Sequence, residues 1–273
     1  MILAIDCGNT HITLGCVDQS NMASAVFRIP TDRTETEFGY AVKIKQALEL
    51  AGVSPSSFEG VALSSVVPPV TDTLVRALRL VTGKEALIVG AGIKTGLHIG
   101  TNDPGTVASD LVATAVAAKA LYPLPCIIVD MGTATTLTVV DGGGRFIGGA
   151  ILPGAGISLD ALSQSAALLP HIDIRPPLSP IGANTVDCMK SGIVFGASGA
   201  VDGLIDRFEE TLGAPPASIV ATGGLCTLIS PHCRHEMTVD ETLLLKGLAV
   251  IWYKNEALDD AKAKGGHHER KHP

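Results

Sequence analysis

The sequence predicts an α/β chain made of two duplicated halves, each a mixed sheet flanked by helices, and three observations carry that prediction. An apolar run that ends in an acid and meets small residues occurs twice: residues 2–6 (ILAID) before Cys7-Gly8-Asn9-Thr10, and residues 127–130 (IIVD) before Met131-Gly132-Thr133. Strand-like and helix-like periodicities interleave along the whole length, as in sheets covered by helices. Of the 273 residues, 46% are apolar and 17% charged, which excludes disorder and coiled coil and allows a core without disulfide or metal staples.

The elements follow in order. Behind each acidic run comes a second strand (11–17; 137–140), a polar turn (18–21; 141–144) and a third strand (23–29; 145–151), a hairpin pattern in both copies. The repeat is too long for a solenoid and predicts a duplicated domain. In the first half, helices are expected over 35–51 and 69–81 around a strand at 60–67, followed by an Ala-rich helix over 109–121. The second hairpin starts at about Pro125; helices are then expected over 159–169 and 185–212, a buried strand at 218–221 running into Thr222-Gly223-Gly224, and a last helix over 241–257. The expected domains are 1–117 and 118–258, and the polar stretch 259–273, with Gly265-Gly266 and three histidines, is expected to be disordered.

A net charge of −7 argues against a nucleic-acid surface, which needs basic stripes. A nucleotide stays compatible if metal ions and backbone N–H groups offset its charge. No run of 18 apolar residues is present, so no membrane span is expected. The opening MILAIDCGNT lacks a basic region and carries Asp6 within its apolar stretch, so it does not read as a signal peptide. Six cysteines without a C-x-x-C pair suggest reduced thiols in a cytoplasmic chain.

The two turns share a physical logic. An acid at the end of a buried strand is costly unless it meets a cation or donors. The glycine after it lets the backbone approach a ligand, and successive N–H groups with Asn9, Thr10, Thr133, Thr135 and Thr136 offer donors to phosphate oxygens. The stretch Gly90–Gly96 imitates a P-loop, but Ile93 stands where the motif needs the glycine before Lys94-Thr95, and no G-x-G-x-x-G follows a strand. Asp110 stands at the start of an otherwise apolar helix, which suits either an acid favoured by the helix dipole or a carboxylate held for chemistry.

The paired D-x-G-N-T and D-x-G-T-x-T turns resemble those of the actin/hexokinase/Hsp70 ATPase superfamily. Further stretches narrow the resemblance to the type III pantothenate kinases over about residues 1–255: Ser64-Ser65-Val66-Val67-Pro68-Pro69, Gly92-Ile93-Lys94-Thr95-Gly96-Leu97, Gly148-Gly149-Ala150-Ile151-Leu152-Pro153-Gly154, Ala167-Leu168-Leu169-Pro170, Asn184-Thr185-Val186, Ser191-Gly192 and Ala221-Thr222-Gly223-Gly224-Leu225. The resemblance implies a homodimer of two ribonuclease-H-like (actin-like ATPase) domains with ATP in the cleft between them. It implies that Asp6, Cys7, Gly8, Asn9, Thr10, His11, Ile12 and Thr13, with Gly132 and Thr133, bind the ATP phosphates, and that Gly223 and Gly224 lie beside the adenosine. Asp130 would hold a monovalent cation (K⁺ or NH₄⁺), Mg²⁺ would travel with the nucleotide, and Asp110 would take the proton of the acceptor hydroxyl.

Thr101, Ala108, Ser109, Leu111 and Thr185 fall at acceptor-site positions, Thr185 reaching in from the partner chain. The chain departs from the family here: G-x-D-R reads Ala108-Ser109-Asp110-Leu111, with leucine in place of the arginine that meets the substrate carboxylate, and Thr101 stands at the usual tyrosine. The activity implied is ATP-dependent phosphorylation of the primary hydroxyl of pantothenate. The departures keep two alternatives open: a kinase for another small alcohol, and a nucleotide-binding regulator with little turnover.

Overall fold

A computed structural model of the chain describes residues 1–265, with side chains as far as Leu258. The first half runs β1 (Ile2–Cys7), β2 (His11–Val17), β3 (Ala23–Pro30), α1 (Glu37–Leu50), β4 (Gly60–Ser65), α2 (Pro68–Thr82), β5 (Ala86–Ile88), β6 (His98–Ile99) and α3 (Ser109–Leu121). The second half runs β7 (Cys126–Met131), β8 (Ala134–Val140), β9 (Arg145–Pro153), α4 (Ala155–Ser165), α5 (Thr185–Leu212), β10 (Ser218–Thr222), α6 (Cys226–Ile229), β11 (Thr238–Val239) and α7 (Leu243–Gly265).

The chain divides into two compact units: one of residues 1–97, 103–120 and 242 onward, the other of 98–102 and 121–241. These differ from a single cut at 117/118 in two respects. The short β6 pairs with β9 and so joins the second unit, and α7 returns to the first. The reason for the return of α7 is packing: its Leu245 meets Gly15 of β2, its Trp252 fills the space over Gly60 of β4, and Gly247 lies against the Ala113 carbonyl of α3. Helix α7 continues to Gly265, so residues 259–265 of the stretch expected to be disordered are helical; residues 266–273 lie outside the described residues.

In the first unit the sheet order is β3-β2-β1-β4-β5, antiparallel along the hairpins and parallel from β1 through β4 to β5. Helices α1 and α2 bury Tyr40, Ile44, Leu48, Leu74 and Leu78 with Leu3, Ile5, Leu14 and Leu63 of the strands. In the second unit the order is β11-β10-β7-β8-β9-β6, with β7, β8 and β9 antiparallel and β10 parallel to β7. Its core joins Ile127, Val129 and Leu137 to Val201 and Ile205 of α5 and Ile229 of α6.

The duplication is visible residue by residue. Strands β1 and β7 are buried at every position except the acid, Asp6 or Asp130, which stays half-open. Asp6 faces Thr13 and Ser64 in register, and Asp130 faces Thr136 and Thr222. Each second hairpin carries one register shift, at Leu14/Cys16 and at Val139/Val140.

One expected helix moved: α4 begins at Ala155, not at 159, and stops at Ser165. Pro170 disfavours helical geometry at Leu169, and the segment 166–170 leaves the helix as a turn closed by Leu169 N–H on the Ala166 carbonyl. Strands β5, β6 and β11, of two or three residues each, are too short for periodicity to reveal.

Candidate active site

In the first unit, β1 and β4 are parallel neighbours, so Asp6 and Cys7 end beside Ser64 and Ser65. The turn 8–10 is held by Gly8 N–H on the His11 carbonyl (3.0 Å), and Thr31 clamps it by donating its hydroxyl to the Gly8 carbonyl (2.7 Å) and its N–H to Thr10 (3.0 Å). Arg33 Nη2 lies 3.5 Å from Asn9 Oδ1 and sets a cation beside a turn otherwise built of neutral donors. Sequence reasoning missed Thr31 and Arg33. The signal was present in the hairpin itself, since pairing His11 with Pro30 brings residues just past β3 to the open end of the first turn.

The N-terminus of α3 reaches the same strand ends. Ser109 Oγ lies 2.9 Å from Ser64 Oγ and 3.4 Å from the Ser65 carbonyl, so the helix start is pinned to β4 beside β1. Asp110 follows; its Oδ1 accepts from Leu111 N–H at 2.7 Å, and Thr114 donates to its carbonyl oxygen at 3.1 Å. Burial pushes the Asp110 carboxyl above the usual carboxylate range, with backbone N–H groups pulling the other way more weakly. Val112 N–H to the Ala108 carbonyl (3.1 Å) closes the first turn. The structure thus gathers Asp6–Thr10 and Ala108–Leu111 at one end of one sheet.

In the second unit, the equivalent turn has only Gly132 and Thr133, closed by Gly132 N–H on the Ala134 carbonyl (3.0 Å). Gly154 N–H donates to the Thr133 carbonyl (3.2 Å), which brings the N-terminus of the 11-residue α4 against this turn. Such a helix start adds N–H donors and a partial positive charge suited to an anion. After β10 the chain turns at Gly223, at φ +89°, so tightly that a Cβ there would overlap the Asp130 carboxylate and come within 2.7 Å of the Met131 backbone. Leu225 N–H then bonds the Met131 carbonyl (3.0 Å). Asp130, Gly132, Thr133, Gly223 and Gly224 therefore share one corner of the second unit. The thiol of Cys226 behind them is pushed to about 11, chiefly by burial, then by Glu241, with a smaller part from Asp130.

Two expected acceptor residues of this unit lie apart from that corner. Thr101 packs by its methyl group near Gly148, toward the end of β9 away from the turn, with its hydroxyl oxygen buried and unpartnered. Thr185 opens α5 behind the N-cap Asn184, whose side chain accepts from Asp187 N–H, and lines a cavity of ≈ 460 Å³ with Leu162, Leu169 and Met189.

Oxygen donors dominate both turns, the set that Mg²⁺ and alkali cations prefer. Among the described residues no group of three or more His, Cys, Asp or Glu side chains forms a metal cage.

Each of the two units is a mixed sheet flanked by helices and led by a hairpin whose first strand ends in an acid. The fold is shared with the ADPNP-bound activator of 2-hydroxyisocaproyl-CoA dehydratase from Clostridium difficile, at TM-score 0.55 and 13% identity, covering 100% of this chain and 99% of that one. The family model for type III pantothenate kinase matches residues 2–207. Type III pantothenate kinases of an Exiguobacterium species and of Brevibacillus brevis are 43% and 42% identical to it, each over 94% of this chain and 100% of their own length. The chain belongs to the type III pantothenate kinase family.

Proposed function

We infer that this chain transfers the γ-phosphoryl group of ATP to the primary hydroxyl of pantothenate, the first step of coenzyme A biosynthesis. Family membership supports the reaction, and one structural observation supports its residues: the Ser64–Ser109 contact that seats Asp110 at the strand ends bearing the Asp6–Thr10 turn. In this reading Asp6–Thr13, Gly132 and Thr133 bind the phosphates, Gly223 and Gly224 border the adenosine, and Thr101, Ala108, Ser109, Leu111 and Thr185 line the acceptor site.

Asp110 accepts the proton of the attacking hydroxyl as the new O–Pγ bond forms and the bond to the β-phosphate oxygen breaks, releasing ADP. Because phosphoryl transfer is loose in its transition state, orientation of the alcohol counts for more than full deprotonation. Mg²⁺ supplies charge neutralisation on the phosphates when bound. Asp130 would hold the monovalent cation, K⁺ or NH₄⁺, which would add positive charge beside the phosphates. Turnover in a coupled ADP assay should need pantothenate, Mg²⁺ and K⁺ together, and ATP consumption that ignores pantothenate would overturn the reading.

The working form is a cytoplasmic homodimer. Cytoplasmic placement is supported by six free cysteines, and no described helix is long and apolar enough to cross a membrane. Dimerisation is supported by the exposed apolar side chains Ile157, Leu162, Leu168, Leu178 and Ile181 of α4 and the segment leading to α5. Light scattering should give twice the chain mass of 28.1 kDa, and Ile157→Glu with Leu162→Glu should return it to a single chain mass.

A further inference from the structure

A triphosphate adds several negative charges to a chain whose own net charge is already −7. In the first unit the turn Gly8-Asn9-Thr10 offers N–H, hydroxyl and amide donors, none of them charged, directly after the strand that carries Asp6. A protein cation for phosphates at this turn has to come from another segment.

The strap from Thr31 to Thr34, between β3 and the N-cap of α1 at Thr36, brings one. Both of its flanks are tied down. Thr31 donates to the carbonyl oxygens of Gly8 and Thr10. The hydroxyl of the fully buried Tyr40 accepts from Asp32 N–H (2.9 Å) and donates to the Asp32 carbonyl (2.7 Å). Asp32 Oδ1 then accepts from the N–H and the hydroxyl of Thr34, at 2.9 and 2.7 Å. Arg33 lies between these anchors, so its backbone is placed against the turn before any ligand arrives, and its Nη2 reaches Asn9 Oδ1 at 3.5 Å.

The carboxylates of segment 31–37 all have other partners. Asp32 is held by Thr34, Glu35 by Lys43 and Glu37 by Arg76. Arg33 stands among three acids and makes no ion pair among the described residues; its side chain meets Asn9 instead. An exposed guanidinium with only an amide oxygen beside it keeps most of its donors for an anion, and its planar fork matches two phosphate oxygens.

We propose that Arg33 is a phosphate-binding residue: its guanidinium donates to the phosphate chain of ATP from the rim of the 8–10 turn, with Asn9 Oδ1 orienting the fork. This rests on the reading of that turn as a phosphate site and uses residues of the first unit alone.

The test is Arg33→Met, with Arg79→Met as the control for net charge. Arg79 is an exposed arginine in the last turn of α2, paired with Glu85. Because α2 is the crossover between the parallel strands β4 and β5, its last turn lies at the end of the sheet opposite the 8–10 turn. Titration calorimetry should show ATP bound about ten- to a hundredfold more weakly by Arg33→Met, with the KM for ATP rising in step and the KM for pantothenate moving less than about twofold. Arg33→Lys, which keeps the charge but not the fork, should recover part of the loss, and Arg79→Met should bind ATP as the wild type does. ATP affinity unchanged by Arg33→Met, or lowered as much by Arg79→Met, would overturn the assignment. So would a drop in the melting temperature of ligand-free Arg33→Met alongside the affinity loss, which would make Arg33 part of the fold and not of the site. ATP bound by the wild type with this dependence on Arg33, but without transfer to pantothenate, would remove the kinase reading and leave the contact standing. A wild type that binds no ATP would remove both.

Discussion

Asp110→Asn should lower kcat with pantothenate by about 10²–10⁴-fold, the range for losing a positioned general base, while ATP affinity stays near its wild-type value. The variant separates chemistry from helix stabilisation, because the two roles predict opposite changes in stability. If Asp110 served as the acid of a helix N-terminus, removing its charge would weaken α3. Burial, however, holds this carboxyl above its ordinary range, so the folded state favours the protonated form. Below the unfolded-state pKa the charge costs nothing. As pH rises through the ordinary value and then the raised one, the folded protein takes on a penalty that the unfolded chain does not bear. At pH 7–8 the asparagine variant should therefore melt no lower than the wild type, and the gap should close in acid. The activity profile carries the same sign: wild-type kcat/KM should fall as pH drops through a value above the usual carboxylate range, and this acid limb should be missing from the residual activity of the variant. A variant that melts lower and retains turnover would assign Asp110 to the helix alone.

Much of this was legible in the sequence because duplication repeats a local signal. An acid ending a fully apolar strand is visible as a residue pattern, and the structure puts Asp6 and Asp130 at the single half-open position of each central strand. The second hairpin was equally readable, since its turn Asp141-Gly142-Gly143-Gly144 carries the Asp-Gly and Gly-Gly pairs that favour hairpins. What escaped was set by contacts between distant segments. The apolar face of α7 announces burial but not which sheet it covers; Gly15 and Gly60, whose missing side chains make room for Leu245 and Trp252, settle that only in three dimensions. Arg33 and Thr31 reach the first turn through the β2–β3 register, and the start of α4 reaches the second through Gly154, so neither is adjacent in sequence to what it serves.

The two turns also show how duplicates diverge while keeping one task. The first has three residues and borrows a hydroxyl clamp and a guanidinium from beyond β3. The second has two and borrows the N-terminus of α4. Both solutions close a tight turn directly after the half-open acid of the central strand.

Gly223→Ala should be strongly damaging at the turn beside Asp130. Two penalties add. At φ +89° an L side chain is strained by about 1–2 kcal/mol. The new methyl group would also overlap the Asp130 carboxylate and the Met131 backbone, neither of which is the free end of a flexible chain, and forced overpacking costs about 1–3 kcal/mol. Relief comes only by moving Asp130 or the end of β10, which displaces the groups assigned to the cation and to adenosine, and a shift of about 1 Å costs about 10²-fold in rate. Gly83→Ala supplies the control. Its φ of +67° carries similar strain, but nothing lies within 4 Å of the added carbon, so it should lower stability modestly and leave kcat/KM for ATP near wild type. Gly223→Ala should instead lower kcat/KM for ATP at least a hundredfold and raise the K⁺ concentration needed for half-maximal rate. Equal behaviour of the two variants would mean that the close approach of Gly223 to Asp130 serves the fold and not the nucleotide.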